Sequence, residues 1–173
     1  MFRVFRHKHK YTLKLMHAAT NAVGLVFTLL AALAVLINHN QSNIPNYYSM
    51  HSWVGLLAVS LYLLQAIISI AAFLLNAVSN PTKAFLLPFH IYFGHVIFVL
   101  GIAAAISGIN EKAIFKLGDE YSKLGNEAVL LNFTGILFIL FGIIVVYIST
   151  NIHYKRYPRP EDNQLLDRST AAQ

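Results

Sequence analysis

Between Leu15 and Thr82 the chain carries no Asp, Glu, Lys or Arg. A water-facing surface cannot be built from such a stretch, so the medium around it is lipid. Inside a bilayer each backbone N–H and C=O must be paired within its own segment, which makes the apolar runs helices. Charged residues make up only 12% of the 173-residue chain, about half the share of a soluble domain.

Four apolar segments are expected at about 15–37, 51–75, 86–108 and 128–150. Each reaches across the roughly 30 Å of hydrocarbon at about 1.5 Å per helical residue. Polar connections with Pro45 and Pro81 lie between the first three, and residues 110–127 join the last two. Short connections set neighbours antiparallel. The fold class is all-α: an integral membrane, antiparallel four-helix bundle over 1–153, followed by a polar tail, 154–173, expected to be disordered. There is no internal repeat.

Five basic residues, Arg3, Arg6, Lys8, Lys10 and Lys14, precede the first span, and four follow Asn151. The 38–50 connection has none, and the 110–127 connection is net acidic. The positive-inside rule puts both termini on the cytosolic side. The net charge of +6 sits at segment ends and forms no stripe, so it does not indicate nucleic acid. There is no cysteine, which removes disulfides, thiolate metal sites and covalent haem attachment. The basic start has no apolar core behind its charges, unlike a cleaved signal peptide. In the tail, Glu161 to Leu166 forms an acidic dileucine pattern of the kind that directs endosomal or lysosomal sorting; the plasma membrane is the alternative location.

An ionisable side chain at membrane depth is costly and poses a functional question. His17, His51 and His90 each stand at the first turn of an expected span. Orientation puts His17 and His90 at one depth on the cytosolic side and His51 on the other. Neutral imidazoles facing each other at one depth can clamp a porphyrin iron. Gly24, Gly55 and Gly94 share the faces of these histidines and leave room for a flat ring, although small residues also serve helix packing. His7 and His9 are read as solvated, His153 as interfacial and His95 as a hydrogen-bonded core residue. His39 lies at the depth of His51 and is open to a substrate or a structural role.

At these residues the chain resembles the cytochrome b561 family, transmembrane reductases that take electrons from ascorbate through two b-type haems. The likeness runs through Arg3-Val-Phe-Arg6, Lys10, Lys14 and His17, Asn38-His39-Asn40, the block from Ser49 to Gly55, and Pro88-Phe-His90 to Gly94. The histidine intervals of 34 and 39 residues also fit. The resemblance implies that His17 and His90 ligate the cytosolic-side haem iron and that His51 is one ligand of the other haem. It implies that Arg3, Arg6, Lys10, Lys14 and Lys83 meet ascorbate, with Lys83 standing where an arginine is usual. A lysine there keeps the charge and loses the bidentate fork. It further implies that His39 and Tyr48 face the acceptor, ferric iron or monodehydroascorbate, and that the protein forms dimers.

The family core has six helices and four ligand histidines, so the likeness begins in the loop before the third helix. The chain is therefore expected to be a fragment or to start at an internal methionine; a shortened isoform and a genuine four-helix variant are the other readings. One bis-histidine haem is complete in it; the partner of His51 is missing, and His39 is the weak candidate to replace it. Two rival functions follow from the same residues. One is a truncated, non-catalytic haem-binding or regulatory partner of a full-length family member. The other is a small transporter with histidine proton sites, against which stand the absence of carboxylates in the spans and of repeats.

Overall fold

The structure, a computed structural model, describes residues 1–157. The expected disordered tail beyond Tyr157 and its dileucine pattern lie outside the described residues. Four long helices carry the chain: α1 (Lys10–Gln41), α2 (Met50–Ser69), α3 (Asn80–Leu117) and α4 (Asn126–Thr150). A π-helical turn, Ile70–Leu74, continues α2, and 3-10 turns occupy Gly118–Lys123 and Ile152–Tyr154. No strand occurs among the described residues. All four helices are long and apolar enough to cross a membrane. The protein is an all-α, multi-pass integral membrane bundle.

The helices outrun the apolar segments. α1 starts five residues before the expected 15 and ends four after the expected 37. Its early turns carry Lys10 and Lys14, whose long stems let the charge reach water while the backbone stays helical. α3 starts at Asn80, well before the expected 86, because Ser79 caps it by accepting from the Thr82 N–H and Pro81 fits a first turn that lacks partners for its amides. Pro88, expected at the boundary, is therefore inside the helix. Lys83 belongs to the first turn of α3, not to a loop. Only His51 stands in the first turn of its helix; His17 and His90 lie deeper in theirs. Much of the expected 110–127 connection is helical as well. α3 ends at Gly118, whose backbone (φ 51°, ψ −128°) is one that a side chain would strain.

Among the described residues the buried apolar ones are nearly all small, Ala58, Ala72, Ala104, Ala113 and Ala128, with Leu13 the one large side chain. Large residues point outward, as with Phe27 at 68% and Ile67 at 66% exposure. That inversion is expected in lipid, where alanine contacts let helix backbones approach and leucine gains nothing by hiding. α3 is the central element: both α2 and α4 pack along it. α1 touches α2 only thinly.

Candidate functional site

The bundle brings His17 of α1 and His90 of α3 together. Their ring centroids are 6.1 Å apart with the planes perpendicular. Each ring is held at Nδ1. Ser69 Oγ lies 2.9 Å from His90 Nδ1. Asn21 Nδ2 lies 3.2 Å from His17 Nδ1 and also donates to the His17 carbonyl at 2.8 Å. The Tyr62 hydroxyl of α2 donates to the Asn21 carbonyl at 2.7 Å and reaches its side-chain oxygen at 3.1 Å. Nε2 is the nitrogen left over on each ring. Phe2 covers His17 at 5.9 Å between ring centres, and Phe73 covers His90 at 5.5 Å.

The glycines near these rings do not all leave open space. A side-chain carbon at Gly94 would meet the Gln65 amide at 3.3 Å, and one at Gly24 would meet the Tyr62 hydroxyl at 3.4 Å. Both positions make way for polar side chains of α2. Gly55 has nothing within 4 Å.

Basic residues gather at the same end. Lys10 and Lys83 are near enough to Lys14 to repel its charge. Asn80 accepts from Lys83 Nζ at 3.4 Å. Arg3 and Arg6 are engaged differently. Arg3 Nη1 donates to the Asn151 carbonyl at 2.8 Å, and Arg6 Nη1 to the His153 carbonyl at 3.0 Å. The Arg6 guanidinium also lies over the Tyr154 ring, 6.0 Å from its centre. These two arginines tie the N-terminal segment, which also carries Phe2, to the end of α4.

His51 occupies the opposite end. Its Nδ1 lies 2.9 Å from the Ala104 carbonyl, and its ring fills the space beside Gly108, where a side-chain carbon would come within 2.7 Å of it. Among the described residues no ring contact joins it to a second histidine. A cleft of about 260 Å³ opens beside it, lined in part by Ser49, Ser107, Asn110 and Glu111. Tyr48 closes the rim, donating to Glu111 Oε1 at 3.4 Å and lying against Phe115. Loss of hydration and then the Glu111 carboxylate raise the Tyr48 phenol above its ordinary pKa. His39, expected beside this cleft, lies in the last turn of α1, and its carbonyl accepts from the Ile44 N–H at 2.9 Å. His95 is hydrogen-bonded, as expected, but is half-buried and not in the core: Nδ1 lies 2.7 Å from the Ile91 carbonyl and Nε2 lies 2.7 Å from Ser149 of α4.

Residues 1–116 match the family profile of eukaryotic cytochrome b561. The chain belongs to that family. A plasma membrane ascorbate-dependent reductase of Xenopus laevis is 44% identical to this cytochrome b561 over 91% of the chain and 56% of its own length. A lysosomal membrane ascorbate-dependent ferrireductase of Homo sapiens is 41% identical over 90% of the chain and 64% of its own. A transmembrane ascorbate-dependent reductase of Sus scrofa is 35% identical over 95% and 66%. The chain thus spans between 56% and 66% of the length of these relatives.

Membership of a cytochrome b family implies haem b, and the residues fit it. Two metal–nitrogen bonds of about 2 Å, with about 1 Å more from each nitrogen to its ring centre, give centroids about 6 Å apart. The 6.1 Å between His17 and His90 meets that requirement. His90 can donate a hydrogen bond from Nδ1–H to Ser69 Oγ, which leaves Nε2 unprotonated. At His17 the Asn21 amide donates to Nδ1 as it is oriented, so ligation through Nε2 calls for the amide to turn its oxygen to the ring. Asn21, four residues past His17, was within reach of helical spacing; Ser69, Phe73 and Glu111 act across helices and carried no signal in the sequence.

Proposed function

We propose that this cytochrome b561 carries electrons across the membrane, from ascorbate at the His17/His90 end to an acceptor at the His51 end. The observation that carries the reading is the His17–His90 pair: two imidazoles from separate helices, at the spacing of two ligands on one iron. Haem b, when bound, supplies the one-electron exchange. His17 and His90 would hold it from both sides, which leaves no position for oxygen. Phe2 and Phe73 limit water beside the rings. Lys10, Lys14 and Lys83 form a cationic rim that raises the local concentration of the ascorbate anion. Arg3 and Arg6 act on the same site by docking the segment that carries Phe2.

At the other end His51 is the candidate ligand of a second haem. Its Nδ1 can donate to the Ala104 carbonyl, which leaves Nε2 basic. The neighbouring cleft, with Glu111, Asn110 and the Tyr48 hydroxyl, suits an acceptor that takes hydrogen bonds or a carboxylate, either ferric iron or monodehydroascorbate. The relatives' names support ascorbate as the donor. Their plasma membrane and lysosomal settings leave the compartment to experiment, with an endosomal or lysosomal membrane favoured and the termini in the cytosol.

A reduced-minus-oxidised difference spectrum, with haem-to-protein stoichiometry, tests the assignment. The wild type should show low-spin b-type haem, and His90→Ala should lose the haem at the His17/His90 end. Unchanged haem content in that variant would sink the ligand assignment.

A further inference from the structure

We infer that Ser69, with the π-helical turn that follows it, is a positioning element for His90, acting through the ring's Nδ1 proton; this rests on the reading of His90 as a haem ligand. Hydroxyls in membrane helices usually bond back to a carbonyl of their own helix. Thr28, Ser107, Thr134 and Thr150 do so here, each to the carbonyl four residues earlier at 2.7–2.8 Å. Ser69 instead reaches across to α3, 2.9 Å from His90 Nδ1.

The backbone changes at that residue. Beyond Ser69 the Leu75 N–H bonds to the Ile70 carbonyl at 2.9 Å, a span of five residues in place of four. The extra residue in the turn alters the direction of the side chains around it, and such turns gather at functional sites. The result is a two-point grip on His90: Ser69 at Nδ1, and Phe73, four residues on, 5.5 Å from its ring centre. A serine oxygen that accepts a hydrogen bond from Nδ1–H fixes the tautomer that leaves Nε2 unprotonated. It also makes the imidazole a stronger donor, which favours ferric over ferrous iron.

The test is an optical redox titration with haem quantitation on the membrane-embedded holoprotein and three variants. Ser69→Ala should shift the ferric-to-ferrous equilibrium at the His90 haem about three- to tenfold toward ferrous. For a one-electron couple that is a rise of about 30–60 mV. Haem should also dissociate roughly tenfold more readily. Ser69→Thr, which keeps the hydroxyl, should restore both. An unchanged or lowered potential in Ser69→Ala, or no restoration by Ser69→Thr, overturns the inference and leaves His90 as a ligand. His90→Ala separates the two readings: retention of its haem overturns the ligand assignment itself.

Discussion

His51 packs where Gly108 has no side chain, and that fit has a measurable cost if filled. A methyl at 108 would stand 2.7 Å from the ring and push it away from the Ala104 carbonyl. Overpacking of this kind costs about 1–3 kcal/mol. Gly108→Ala should therefore lower the unfolding temperature in detergent and perturb the spectrum of a haem at the His51 end, leaving the His17/His90 spectrum in place. An undisturbed His51-end spectrum would remove the ring from that role. The three key histidines were legible because an ionisable group in lipid demands a reason. Ser69 and Glu111 were not, since nothing in their own segments distinguishes a hydroxyl or carboxylate that will meet a neighbouring helix from one that will not. Arg3 and Arg6 were read as part of an anion site from the family resemblance and their charge; their bonds to the carbonyls of Asn151 and His153 depend on where α4 ends in space.

At the scale of elements, the number and type of helices followed from the apolar runs, and their ends did not. Hydropathy marks where a helix meets lipid. Capping and helix propensity decide where it stops, and the caps at Ser49 and Ser79 lie outside or at the edge of the apolar stretches. The consequence for function is that Lys10, Lys14 and Lys83 project from helical turns, on rigid backbone. Charge reversal at Lys10 and Lys14 should raise the ascorbate concentration needed for half-reduction roughly tenfold at low ionic strength, and less at higher salt, because the rim acts through a screened field. Stopped-flow reduction at two salt concentrations checks this. An unchanged dependence would leave these lysines as topology signals only.

For the whole molecule, the two ends of the bundle should face opposite compartments. The chain has no cysteine, so single introduced thiols report without background. Asn43→Cys and Ser122→Cys should react with an impermeant label from one side of sealed vesicles, and Lys8→Cys and Val78→Cys from the other. Labelling of all four from one side would overturn the four-span arrangement. A last consequence follows from the slender contact between α1 and α2. Among the described residues, the ring contact between α1 and the central helix is His17 opposite His90. Whatever both rings grip adds its binding free energy to the docking of α1. Occupancy of the site and closure of the bundle are then linked equilibria, and each favours the other.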